Sequence, residues 1–128
     1  MNVLLDTCTF LWITLEPARL SAQAKRIFAE PANRFSLSVI SAWEIALKYG
    51  MGQLSLLQPP HLFVPTQRSR LGIALLPLSE QAALYVPNLP RHHKDPFDRL
   101  LICQAIMDQL VILTPDPLIQ QYPIQTRW

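Results

Sequence analysis

Two aspartates, Asp95 and Asp98, stand three residues apart in "KDPFDRLL" (94–101), at the mouth of an apolar run. Asp95 suits a helix N-cap, Pro96 the first helical position, and Asp98 the third, where a carboxylate meets the positive end of the helix dipole. Three further acids lie where chemistry is possible. Asp6 directly follows "NVLL" (2–5), Glu44 lies one turn beyond "RFSLSVI" (34–40), and Asp116 comes two residues after "VILT" (111–114). Each has a bland explanation. Asp6 can cap the helix after it, Ser41-Ala-Trp-Glu44 has the form of a capping box, and Asp116-Pro117 is an N-cap followed by proline. Gathered within a few ångströms, however, carboxylates repel and resist ionisation unless a cation joins them. A hard divalent ion such as Mg²⁺ or Mn²⁺ takes oxygen ligands and keeps waters, so a collected set of acids would form a metal–carboxylate site.

Whether they collect depends on the elements that carry them. "NVLL" reads as a short buried strand, and "TFLWITL" (9–15) as a short helix. "SAQAKRIFAE" (21–30) is an amphipathic helix capped by Ser21 and closed by Pro31. "RFSLSVI" is a strand, and "SAWEIALKYG" (41–50) a helix ending at Gly50. The stretch 59–72 is a helix broken by Pro65, 73–78 a strand, 79–86 a short helix. "PFDRLLICQAIMDQL" (96–110) is a helix apolar almost all round, hence buried on two sides. "VILT" is a strand, followed by a short helix from Asp116 and an edge strand at 124–127. Apolar strands alternating with helices predict an α/β fold, a three-layer α/β/α sandwich with a mostly parallel central sheet. In such a sheet the strand carboxyl ends share one edge, where ligands bind. Asp6, Glu44 and Asp116 must then converge there. The other four of the nine acids, Glu16, Glu30, Glu80 and Asp108, lie in or beside helices as solvated charge.

The bulk composition agrees with a single domain over 1–128. Half of the 128 residues are hydrophobic and 16% are charged, so the chain can bury a core and is not disordered. No apolar run approaches the roughly 20 residues of a membrane span. "MNVLLDTC" lacks the basic region of a signal peptide, and Cys8 and Cys103 are too few for a disulfide framework, which together predict a cytoplasmic protein. A net charge of +2 permits a nucleic-acid partner without requiring one.

The motifs "LLDTCTFLW", "SAWEIALKYGMGQL", "HHKDPFDRLLICQA" and "LTPDPLIQQYP" occur in an order and at spacings that resemble a PIN domain. More narrowly they are similar to the VapC-type ribonuclease toxins of bacterial toxin–antitoxin pairs. The likeness runs from Asp6 to Tyr122, and H-x-D-P-F-D-R-L-L followed by T-x-D is its most specific part. The resemblance implies Mg²⁺- or Mn²⁺-dependent hydrolysis of RNA, with Asp6, Glu44, Asp98 and Asp116 as metal-binding and catalytic acids and Asp95 nearer to a cap. It also implies a homodimer and an antitoxin protein as partners, the antitoxin placing a basic side chain into the acidic pocket. Trp12, Trp43 and Phe10 read as core, with some apolar surface of the early helices and of 96–110 left for those interfaces. Similar sequences often have lysine where this chain has Gln53, which removes a phosphate contact there and leaves the metal site untouched.

In such a site metal held by the acids would lower the pKa of bound water and polarise the phosphate. Arg91, Lys94 and Arg99 flank the acids as candidate RNA-phosphate contacts, although Arg99 is equally placed to pair with a carboxylate. His92 and His93 read as loop residues, and Cys8 has no basic partner to make it a nucleophile. A different class of function stays open: a non-catalytic α/β binding module whose acids are only helix caps. A phosphoacceptor receiver would want two acids after the first strand and a late lysine, and a haloacid-dehalogenase-like phosphatase an aspartate at position 8. This chain has one acid there, no lysine after Lys94, and Cys8.

Overall fold

The computed structural model describes residues 1–128. Its elements are β1 (Asn2–Leu5), α1 (Thr7–Leu15), α2 (Ala22–Ala29), β2 (Arg34–Ser38), α3 (Val39–Gly50), α4 (Pro60–Leu71), β3 (Ala74–Leu76), α5 (Glu80–Leu84), α6 (Pro96–Asp108), β4 (Val111–Leu113), α7 (Pro117–Gln120) and β5 (Thr126–Arg127). The five strands form one sheet in the order β3-β2-β1-β4-β5, parallel at every pairing. Leu5 is paired with Leu37 on one side and Leu113 on the other. The next residues, Asp6, Ser38 and Thr114, therefore lie side by side at its carboxyl edge.

The pleat sends successive side chains to opposite faces, and both faces are covered. Val3, Leu5, Leu37 and Leu113 pack with Phe10, Ile45, Phe63 and Val64 from α1, α3 and α4. Leu4 and Ile112 pack on the other side with Ile40, Leu101, Ile102, Ile119 and Tyr122. This is the expected three-layer α/β/α arrangement. Five consecutive residues of α6, Leu101–Ala105, are buried, as the all-round apolar pattern requires. The polar member of that run, Gln104, is satisfied: its Oε1 accepts from Ser38 Oγ at 2.5 Å and its Nε2 donates to Pro77 O at 3.2 Å. No helix is long and apolar enough to cross a membrane.

Three expectations are corrected. The strand at 34–40 stops at Ser38, whose hydroxyl caps α3 by accepting from Ile40 N at 3.0 Å. Ser41 is then inside the first turn, not the N-cap of a capping box, and Glu44 is carried into the second turn. Pro65 does not break 59–72, because α4 runs through it while Phe63 and Val64 anchor the helix in the core. An interior proline costs a helix about 3 kcal/mol, and burial of those neighbours offsets it. Lastly, the apolar surface of α6 is spent on the sheet, with Leu100, Ile106 and Met107 packed against the same cluster. The exposed apolar stripe is on one of the early helices, α3, where Val39, Trp43 and Leu47 recur every fourth residue, and Trp43, read as core, is 53% exposed.

Two helices end in left-handed residues, α4 at Gly72 (φ 68°) and α6 at Gln109 (φ 54°). Glycine adopts that conformation freely, whereas glutamine is strained by its Cβ. Gln109→Gly is expected to raise stability by about 0.5–1 kcal/mol, read from the denaturation midpoint at unchanged slope. A loss of stability would overturn this reading of the α6 terminus.

Candidate active site

The carboxyl edge of the sheet opens into a cavity of about 610 Å³, lined by Asp6, Glu44, Asp95, Asp98 and Asp116 together with Lys48. All five acids singled out in the sequence thus share one cavity, although they come from four separate segments of chain.

Asp6 is 3% exposed and caps α1. Its Oδ1 accepts from Thr9 N at 2.7 Å and its Oδ2 from Thr114 Oγ1 at 2.5 Å. Burial raises its pKa above the ordinary carboxylate value, against the lowering effect of these hydrogen bonds. Asp95 caps α6, accepting from Asp98 N at 3.0 Å, and Asp116 caps α7, accepting from Leu118 N at 2.9 Å. The Asp98 side chain is not a cap. Burial first, and then the Asp95 charge, push its pKa to about 7.

Glu44 is buried in the second turn of α3, beyond reach of free backbone N–H groups. Lys48, one turn on, donates to its Oε2 at 2.6 Å, and that hydrogen bond raises the lysine pKa. Glu44 Oε1 is buried with no partner. The Cys8 thiol also lines the cavity, but partial burial and the Asp6 charge push it up to about 11, so it is protonated near neutral pH and is no nucleophile.

The loop before α6 holds Asp98 through a chain of hydrogen bonds. Arg99 has donors only. Its Nη1 donates to Tyr122 Oη at 2.9 Å, and that hydroxyl is hydrogen-bonded to His93 Nδ1 at 2.8 Å. The other ring nitrogen, Nε2, is hydrogen-bonded to Asp98 Oδ2 at 3.1 Å. Two readings are corrected here. His93 is no mere loop-packing residue. Arg99 pairs with no carboxylate; its guanidinium also donates to Pro90 O at 2.8 Å and Val86 O at 3.3 Å. Sequence reading also missed Lys48, whose i, i+4 spacing from Glu44 was the available signal. Tyr122 and Thr114 lay within quoted motifs but had no assigned role.

The donor set suits a hard divalent ion. Its atoms are carboxylate oxygens, one of them orphaned by burial, and two of the acids have raised pKa values that a cation would relieve. Each carboxylate is held by its own partner, and no three acidic, histidine or cysteine side chains are drawn together in ligating geometry. Binding would thus require Glu44 to exchange Lys48 for the ion, or share it.

The chain is thus an α/β protein with a fully parallel sheet and an acid-lined cavity at its carboxyl edge. Residues 3–124 match the PIN domain family, and the chain belongs to it. No curated protein sequence matches the chain. Among solved structures it is similar to VapBC2 from Rickettsia felis bound to a DNA fragment from their promoter (TM-score 0.70, 16% identity, covering 99% of this chain and 98% of that one). It is also similar to VapBC-1 from nontypeable Haemophilus influenzae (0.62, 21%, 99% and 97%). A third is VapBC-5 from Mycobacterium tuberculosis, a member of the VapBC family of toxin–antitoxin systems (0.60, 16%, 98% and 95%). At these identities the likeness is one of fold.

The raised carboxyls carry a pH dependence. Asp98 titrates near 7 in the folded chain and near 4 when unfolded, so between those values the folded state binds more protons. Stability of the metal-free protein is expected to fall as pH rises from about 4 to about 7 and to level off above, with Asp6 contributing in the same direction. Asp98→Asn should flatten the fall and match or exceed wild-type stability at about pH 8. Thermal melting in a chelator across that range checks it; wild-type stability that climbs through the window would contradict the crowded-carboxylate site.

Proposed function

We propose that this chain is a metal-dependent endoribonuclease, the toxin of a toxin–antitoxin pair, acting in the cytoplasm. The observation that carries the reading is the convergence of five carboxylates on one cavity, one of them with a buried oxygen that has no partner. The alternative, a binding module whose acids only cap helices, draws support from Asp6, Asp95 and Asp116, which do cap. It leaves Glu44 and Asp98 unexplained, because the side chain of neither caps anything.

Asp6, Glu44, Asp98 and Asp116 would hold Mg²⁺ or Mn²⁺. The bound ion would supply an acidified water and neutralise charge on the phosphate. The chain's own residues do the rest. Thr9 and Thr114 fix both oxygens of Asp6, and the Arg99–Tyr122–His93 chain occupies one oxygen of Asp98 and leaves the other open. Lys48 is the one cation lining the cavity, so it offsets part of the field that would repel RNA. For a partner, the exposed stripe of Val39, Trp43 and Leu47, with Trp43 edge-on to Phe97 at 5.2 Å, offers a homodimer face. The VapBC structures are toxin–antitoxin assemblies, and by analogy an antitoxin segment with a basic side chain would fill the acidic cavity.

Purified chain is expected to cleave structured cellular RNA in Mg²⁺ or Mn²⁺, and Asp6→Asn and Glu44→Gln to lose at least about a hundredfold of that activity. Asp95→Asn should keep most of it, because asparagine caps as well as aspartate. Folded wild type that leaves RNA intact in both ions would sink the proposal. Expression of the chain alone should arrest growth, and Glu44→Gln should relieve the arrest at equal protein level.

The homodimer has its own check. Light scattering should give twice the chain mass, and Trp43→Glu should halve it without loss of fold. A monomer at micromolar concentration would remove this face from the account.

A further inference from the structure

A second cavity, of about 430 Å³, is lined by Arg91, His92, His93, Lys94 and Arg99, with no apolar and no acidic residue among them. His93 joins it to the acidic cavity, since its ring lines the basic side while its Nε2 touches Asp98, which lines the acidic side. The ion pairs of the chain are Arg19–Glu16, Lys48–Glu44 and His93–Asp98, so Arg91, Lys94 and Arg99 have no carboxylate partner. In a protein of net charge only +2, three such cations are concentrated in one hollow.

A solvated basic loop is the simpler explanation, and Arg91 and Lys94 alone would fit it. Arg99 does not. Its guanidinium is clamped by Pro90 O, Val86 O and Tyr122 Oη, bonds that use three of its five N–H donors. It is a charge already ordered at a cavity wall, and two donors remain for an incoming anion. A pre-ordered guanidinium with flexible cations beside it suits an anionic oxygen group such as a phosphate.

We infer that this basic cavity binds a phosphate of the RNA strand whose scissile bond lies in the adjoining acidic cavity. The inference rests on the ribonuclease reading above. The strand's position follows from the two signs of charge. At the acids a phosphate is tolerated only through a bound cation, whereas a neighbouring phosphate one step along the backbone meets arginine and lysine directly. The contact is to backbone, so it contributes affinity and register without reading sequence. An acidic segment of a protein partner would find the same charges, but it would run on into the adjoining carboxylates and be repelled by them, whereas a nucleic-acid strand brings its next phosphate to acids that a cation can bridge.

The test is binding of a labelled single-stranded RNA, without divalent ions, to wild type and to the Arg91→Gln/Lys94→Gln double variant over a range of potassium chloride. Both side chains are exposed loop residues outside the acidic cavity, so melting temperature and its rise in Mn²⁺ should match wild type. Loss of the contact to that phosphate should weaken binding about tenfold or more and reduce the slope of log affinity against log salt by about 0.7. In the cleavage assay KM should rise while kcat holds. Equal affinity and slope in variant and wild type, with wild type cleaving RNA normally, would overturn the subsite and leave the nuclease reading standing. Wild type that neither binds nor cleaves RNA would overturn both. Inorganic phosphate should compete only weakly, since it engages one subsite. If the double variant loses binding of a polyglutamate peptide but not of RNA, the cavity is a protein-docking site and the inference fails.

Discussion

Charge repulsion within one cavity is the constraint that the rest of the structure answers. Five carboxylates converge where three strands end in register, and no cation but Lys48 lines the same space. The fold meets this with helix starts. Asp6, Asp95 and Asp116 cap α1, α6 and α7, so each accepts backbone N–H groups and lies at the positive end of a helix dipole. Cap and ligand are therefore not rival roles for these residues. Capping lets the metal-free chain hold acids together at all, and the burial that remains uncompensated is what an arriving ion would relieve.

Much of the arrangement was legible because it follows from period and order. Short apolar strands alternating with helices require a parallel sheet, and a parallel sheet requires that Asp6 and Asp116 meet. Glu44 lines the same cavity as Asp6 and Asp116, and the bland explanation for it fails. Ser41-Ala-Trp-Glu44 has the letters of a capping box, but Ser38 takes the cap, because extending the helix by one turn lets Ile40 join the core. Pro65 was misread because propensity was weighed without Phe63 and Val64, whose burial decides the matter. The apolar surface of α6 was assigned to an interface because a one-dimensional pattern does not show how much of a helix its own sheet will cover.

What was not legible depends on distances across the chain. His93, Arg99 and Tyr122 are separated by up to 29 residues, and nothing in their spacing says that they bond in series. The series ties one oxygen of Asp98, through the imidazole and then the hydroxyl, to the Arg99 guanidinium. Second-layer partners of this kind commonly orient metal ligands, and here the outermost partner also forms the wall of the basic cavity.

Glu44 is the one acid of the cavity that neither a backbone donor nor a single partner satisfies. The acids at helix starts have backbone donors, but Glu44 lies a turn too deep in α3 to reach any. It takes an ammonium instead, on one oxygen only, while the other oxygen is buried without a partner. An unsatisfied buried acceptor costs roughly 1–3 kcal/mol, more when it is charged. A chain selected only for stability would place glutamine or an apolar residue there. The half-satisfied carboxylate is therefore the clearest sign in the structure that Glu44 serves something other than stability, and a cation beside it would satisfy the oxygen that Lys48 leaves free.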